Sequence, residues 1–168
     1  MPKGIKETSG LLTISSSILE QAANTFTTSL VDVQLNALDN EVLIVYAVDL
    51  DCSAPDLTPA TLTESRMSIS TIARTSVGSI ADNNVMAAAR IVTREVGGAA
   101  VTNMFASDSS PSTDLPYLGI IATNNFALQI QGVANAGPMV GACKVYCQRG
   151  RADSATYAAL VQSELLSS

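Results

Sequence analysis

The stretch from Thr25 to Asp51, TFTTSLVDVQLNALDNEVLIVYAVDLD, leaves the chain few folds to choose from. In its first arm Val31, Val33 and Leu35 share one parity, and Asp32, Gln34 and Asn36 share the other. Side chains on a strand alternate between faces, so this arm has an apolar face and a wet one. In the second arm Val42, Ile44, Tyr46, Val48 and Leu50 form one row. Leu43, Val45 and Ala47 make the opposite row apolar as well, until Asp49 and Asp51 return it to water. A strand apolar on both faces at its centre belongs in the middle of a packed sheet. The crowding of Val and Ile argues against helix. Asp39 and Asn40, between the arms, tolerate turn conformations that other residues avoid. Extended from Glu41 to Asp51, the second arm spans roughly 35 Å. The arms read as an antiparallel pair, or as two long strands of facing sheets, with Val33, Leu35, Ile44 and Tyr46 in the core. In either case a second sheet must cover the apolar face.

The rest of the chain follows the same grammar. Residues 1–10 are polar and read as a mobile arm. Between Leu11 and Asn24 the residues Leu11, Ile14, Ile18 and Ala22 fit a helical stripe, but the Ser and Thr content favours an edge strand. Extended structure running into Thr25 is the reading taken. Pro55 and Pro59 mark residues 52–64 as a surface loop. Ser65 to Thr75 alternates as a strand, and Gly78 to Asn84 is a turn. Val85 to Val96 is ambiguous. MAAAR has high helix propensity and Gly97-Gly98 could cap a helix, whereas Ile91, Val92, Thr93 and Val96 are β-branched. A strand is the reading taken, followed by a short strand over Ala99 to Phe105. Residues 107–116 read as an exposed loop. Tyr117 to Thr123 and Phe126 to Val133 flank Asn124-Asn125 as a second hairpin. Asn135 to Pro138 turns the chain into the last strand, Met139 to Arg149. The period then changes: Asp153 can cap a helix with Tyr157, Leu160, Val161 and Leu165 on one face. About seven to nine strands in series with turn-rich joins argue for an all-β sandwich or jelly roll. The expected organisation is one domain: an N-terminal arm or edge segment (1–24), the sandwich (25–151) and a C-terminal helix (152–168).

The chemistry that the chain lacks narrows its function. Among 168 residues there is no His. That removes the commonest general base, the Ser-His-Asp and Cys-His pairings, and most zinc sites. Gly97-Gly98 lacks the Lys-Ser/Thr of a phosphate loop. Asp49 and Asp51 project from one strand face with Asp56 close in sequence. Such carboxylates could hold Ca²⁺ or work as a pair on a glycoside, and a solvated strand end is the simpler account. Arg90 and Arg94 could meet acidic residues of a neighbour or form plain surface pairs. Cys52, Cys143 and Cys147 read as buried reduced thiols, since Cys143 and Cys147 are too far apart along one strand to bridge. The net charge is −6, and the basic residues are scattered, with Lys3 and Lys6 at one end and Arg149 and Arg151 near the other. Neither the basic footprint of a nucleic-acid binder nor that of an anionic-membrane binder is visible. No apolar run is long enough to span a bilayer, and no signal-peptide pattern opens the chain, so synthesis and folding in a cytoplasm are expected. No enzyme activity, cofactor or structural metal is expected.

Three segments carry a resemblance: EQAANTFTTSLVDVQLN, then EVLIVYAVDLDCSAPD, then GRADSATYAALVQSELLSS. Together they resemble single jelly-roll capsid proteins of tailless icosahedral viruses of microbes, archaeal viruses included. Residues 52–116 contribute only a strand count to the likeness. The resemblance implies a single jelly-roll β-sandwich of about eight antiparallel strands in two facing sheets, with a short C-terminal α-helix. It implies a capsid subunit in the virion, partnered by copies of itself and by other capsid proteins around a genome. Many such proteins carry a basic arm that binds the packaged nucleic acid. Residues 1–10 hold only Lys3 and Lys6 against Glu7. Direct nucleic-acid binding is therefore not expected, and a membrane or an inner virion protein would lie beneath the shell. Tyr157, Leu160, Val161 and Leu165 are the candidate assembly residues. Few charges and many small neutral residues suit large obligate interfaces. The alternative is a β-sandwich binding module of the carbohydrate-binding or adhesin type, against which stands the absence of Trp.

Overall fold

The last strand of the chain, Val140–Ala152 (β10), is the one around which the first sheet forms. In the computed structural model, which describes residues 4–106 and 116–166, it pairs along one edge with Glu41–Cys52 (β4). Along the other edge it pairs with Ile5–Glu7 (β1) and Leu12–Leu19 (β2) in succession. Gly119–Ile121 (β8) closes the sheet beyond β4. The second sheet orders Thr27–Asp32 (β3), Asn125–Val133 (β9), Leu62–Ser70 (β5), Val85–Val96 (β6) and Ala99–Ala106 (β7). The pairings are nested. β2 pairs β10, β3 pairs β9, β4 pairs β8 and β5 pairs β6, all antiparallel. A chain that joins its outer strands first and works inward is one long folded ribbon. Here successive ribbon pairs fall alternately in the two sheets, which makes the fold a single jelly roll. β1 continues the β2 edge, and β7 extends the second sheet past β6. Among the described residues these two additions bring the strands to ten, against the eight or so expected.

The core fills the space between the sheets. Cys143, Val145 and Cys147 of β10 meet Phe126, Leu128 and Ile130 of β9 and Met67 and Ile69 of β5 in one cluster. Gly141 faces Met67 across the core: a Cβ there would lie 2.7 Å from the Met67 sulfur. Val33 and Leu35 belong to this cluster, as expected. The second arm departs from its simple alternation. Tyr146 stands opposite Ala47 and Cys147 opposite Val45, so Tyr46 is left over as a β-bulge. The extra residue reverses the parity of β4. Leu43 and Val45 share the inner face with Val48, Leu50 and Cys52, whereas Val42, Ile44 and Tyr46 belong to a separate outer cluster. The expectation that Val42 through Leu50 form one row, with Ile44 and Tyr46 in the main core, is corrected by that single residue. The Tyr46 hydroxyl donates to Gln148 Oε1 at 2.6 Å, which anchors the bulge.

Sheet membership decides between the two alternatives for the arms of Thr25–Asp51 and corrects several other expectations. The two arms of Thr25–Asp51 are strands of facing sheets and share no ladder. They are joined by a 3-10 turn at Ala37–Asp39, which Asn40 ends with φ at +52°. Tyr117–Thr123 and Phe126–Val133 are not a hairpin either. β8 lies in the first sheet and β9 in the second, and the chain crosses between them at 122–124. Residues 1–10 are not simply a mobile arm: Ile5 is buried and its strand pairs with Gly150, Arg151 and Ala152. The strand expected at Ser65–Thr75 begins earlier and ends at Ser70. Beyond it Arg74 binds Asp82 and Asn84, and Gly78 N–H donates to Ser68 Oγ at 2.8 Å. Those bonds fold the segment back over the sheet. The ambiguous segments resolve as extended: β2 is a strand, and so is β6. Gly97 and Gly98 turn β6 into β7 with φ of +63° and +84°, both positive as a two-residue type I′ hairpin requires. Residues 107–115 of the expected exposed loop lie outside the described residues.

Candidate assembly surface

The helix Ser154–Leu166 (α1) starts where the sequence places it. Asp153 Oδ1 accepts from Thr156 N–H at 2.7 Å, and this bond holds the carboxyl below the usual aspartate range. Asp153 N–H in turn donates to Gly4 O at 2.8 Å, which ties the start of the first sheet to the start of the helix. A Cβ on Gly4 would meet Asp153 Oδ2 at 2.5 Å, and Gly4 has φ of +82°, so glycine fits this junction on both counts.

α1 lies on the outer face of the first sheet. Tyr157, Leu160 and Val161 pack on Ile5, Val42, Ile44, Ala122 and Ala152, with Tyr46, Tyr117 and Ile120 around them. The bulge explains the match, because it turns Val42 and Ile44 outward at the helix end of β4. Three of the four stripe residues therefore cover their own sheet. Leu165 does not join them and is 65 % exposed. Glu164 takes the inward place instead. Its Oε1 accepts from Ala122 N–H at 2.9 Å. Its Oε2 is buried, and the Thr123 hydroxyl and backbone lie beside the carboxylate without a hydrogen bond of good geometry to that oxygen. Burial pushes this carboxyl above the usual glutamate range. Stripe spacing could not reveal this, because a glutamate in a helix reads as solvent-facing.

The remaining candidates are not brought together. Asp49 and Asp51 share the open, polar half of the first sheet, opposite Lys144 and Ala142 of β10. Tyr146 Oη donates to Asp49 Oδ2 at 3.0 Å. Asp56 stands apart, its Oδ2 accepting from Ala136 N–H at 2.8 Å. Among the described residues, no three of His, Cys, Asp and Glu are grouped so as to hold a metal ion. Cys52, Cys143 and Cys147 are buried and unbridged, and burial raises the Cys147 thiol to about 11. A carboxylate that sequence reasoning passed over, Glu20, is fully buried and structural: it accepts from Gly132 N–H at 2.5 Å and Met139 N–H at 2.6 Å. Its role rests on residues more than a hundred positions away, which no local pattern signals.

The exposed apolar surface concentrates elsewhere. On the outer face of the second sheet an open groove of about 480 Å³ is lined by Val77, Ile80, Ala88, Phe105 and two arginines, Arg66 and Arg90. Those arginines are direct cross-strand partners. Arg66 is paired with Glu64, and Arg90 stacks on Phe105 at 5.0 Å from the ring centre. Arg94, the other half of the expected charged pair, is exposed opposite Leu62. Val101, Met104 and Phe105 of β7 are each more than half exposed, as are Leu166 on α1 and Leu38 on the 3-10 turn. Among the described residues no helix is long and apolar enough to cross a membrane. Compared with known proteins, the chain matches no protein-family model and no curated protein.

Proposed function

We propose that this chain is a structural subunit of a virion, a capsid protein that assembles with copies of itself and with other capsid proteins into an icosahedral shell. The observation that carries the reading is the nested ribbon pairing of β2·β10, β3·β9, β4·β8 and β5·β6. It gives the two facing sheets that the resemblance implies. Two features support it. The chain is poor in charge, at 14 % of residues, and it leaves apolar side chains exposed on rigid elements, as assembling surfaces do. With a net charge of −6, the genome would be contacted through a membrane or an inner virion protein.

Light scattering coupled to gel filtration, followed by electron microscopy, tests this. Closed particles or regular sheets at high protein concentration are the expected result. A protein that stays monomeric across pH 5 to 8 and from low to molar salt would overturn it.

One observation favours a second reading, a carbohydrate-binding or adhesin-like module. The groove beside Phe105 pairs one aromatic ring with two guanidinium groups, a set that could take an acidic sugar. A glycan array decides: retention of uronic or sialic acids that is lost in Phe105→Ala would favour the module.

A further inference from the structure

Among the described residues β7 is the most exposed strand, and it is unlike the other edges. β1 is short and carries Lys6 and Glu7, β8 has three residues, and β3 ends in Asp32. β2 has hydroxyl residues at Thr13, Ser15, Ser16 and Ser17. β7 runs for eight residues, AAVTNMFA, with no charge, no proline and no bulge in its ladder to β6. Natural sheets blunt their free edges with those devices, because an unpaired row of N–H and C=O groups templates another strand. Side chains from Ala99 to Phe105 are exposed on both faces. The strand therefore stands beyond the sandwich as a flat ribbon edge.

We propose that β7 pairs antiparallel with β7 of a second copy of this chain, joining two second sheets into one continuous sheet across a two-fold axis at Asn103. The strand's own pattern selects this partner. A two-fold axis normal to the sheet keeps each face on its own side, so residues of equal parity meet. Centred on Asn103, the register sets Phe105 opposite Val101 of the copy and Met104 opposite Thr102, with the two Asn103 amides facing each other. Aromatic against β-branched is a favourable cross-strand pair. The charges are compatible too. β6 sets Arg90 beside Phe105 and Arg94 beside Val101, so the nearest charges of the two copies are separated by the uncharged β7 pair. In a chain of net charge −6 this is an edge where two copies meet without repulsion. The contact runs from Ala100 to Ala106, a strip roughly 23 Å long. A strip one strand wide buries well under the about 1,200–2,000 Å² of a stable complex, so the pairing is weak alone and gains strength where many copies hold one another. It does not depend on the shell reading.

The test uses the full chain with single cysteines added. Asn103→Cys should cross-link to itself under mild oxidation, because opposed residues of an antiparallel pair lie within disulfide reach. Val101→Cys and Phe105→Cys should each stay monomeric alone and cross-link when mixed. Thr28→Cys, exposed on β3, is the control. Asn103→Lys, which sets two like charges on the axis, should weaken self-association at least tenfold with an unchanged circular dichroism spectrum. Cross-linking of Asn103→Cys no faster than the control, or self-linking of Val101→Cys, overturns the proposal. So does a different protein as the edge's occupant, since Asn103→Cys would then stay monomeric. If particles form but Asn103→Cys does not link within them, the pairing is wrong and the shell reading stands. If it links in a protein that forms no particles, the pairing stands and the shell reading fails.

Discussion

Glu164 reaches from the last turn of α1 to the backbone N–H of Ala122, 2.9 Å away, at the point where the chain leaves the first sheet for the second. This bond locks the helix to the crossover. It also places half of a carboxylate, Oε2, out of water, with only the poorly aligned Thr123 hydroxyl and backbone beside it. A buried unsatisfied group costs about 1–3 kcal/mol, and more when charged.

Glu164→Gln should therefore stabilise the protein by about 1 kcal/mol at pH 7, because the amide keeps an acceptor for Ala122 and removes the charge. The sign follows from burial. The folded carboxyl holds its proton above the ordinary value of 4.5. Its contribution is then fully present below pH 4.5 and is lost as pH rises through the raised folded value. Thermal melts from pH 4 to 7 should show the wild type losing stability over that window and the Gln variant losing less. A Gln variant that melts lower than wild type at pH 7 would show the carboxylate to be satisfied.

Deletion of residues 153–168 uncovers Val42 and Ile44, which α1 shields from water. Half-burial of Tyr157, Leu160 and Val161 is worth roughly 3 kcal/mol in all. The truncated chain should melt several degrees lower and bind a hydrophobic dye. Leu165→Ser, at an exposed position, should change stability by less than about 0.5 kcal/mol. If Leu165→Ser nonetheless blocks particle formation, the exposed side of the helix carries assembly. If the truncated chain assembles as wild type does, the helix has no part in it.

Val33→Asp puts a charge among the inner faces of both sheets, where Val33 is buried and its carbonyl accepts from Arg149 Nη2 at 2.9 Å. An unpaired carboxylate there costs several kcal/mol. Loss of soluble folded protein is expected, read by circular dichroism and gel filtration. A soluble variant with a native melt would contradict the core assignment.

The three thiols should resist alkylation in the native protein at pH 8. The Cys147 value of about 11 leaves almost no thiolate, and Cys52 and Cys143 are raised in the same direction by burial. Labelling followed by mass spectrometry should show full modification in denaturant and little without it. Rapid native labelling of Cys143 or Cys147 would mean that the edge strand β2 opens readily.

Local features were legible in the sequence, and long-range ones were not. Asp153 announces its helix because a cap is a matter of a few neighbouring residues. The strand character of β4, β6 and β9 follows from composition and alternation. Alternation names faces, though, and not partners. The arms on either side of Asn40, and those on either side of Asn124, look like hairpins yet pass between sheets. One unpaired residue at Tyr46 moves Ile44 from the main core to the helix-covered face. Of the candidate site, the sequence picks out Tyr157, Leu160 and Val161 but exchanges Leu165 for Glu164. It places Asp49 and Asp51 on one face, but nearness in sequence does not bring Asp56 to them, because its partner at Ala136 lies in a distant turn.

The nested pairing also sets the order of events during synthesis. β1 and β2 take their ladder bonds from β10, and β4 takes most of its own there, so the first sheet has no central strand until residues 140–152 have been made. A fold whose earliest strands wait for its latest one is dominated by distant pairings and forms slowly. Until β10 has been made, β2 and β4 lack their central neighbour, and the incomplete chain holds apolar faces open to wrong contacts.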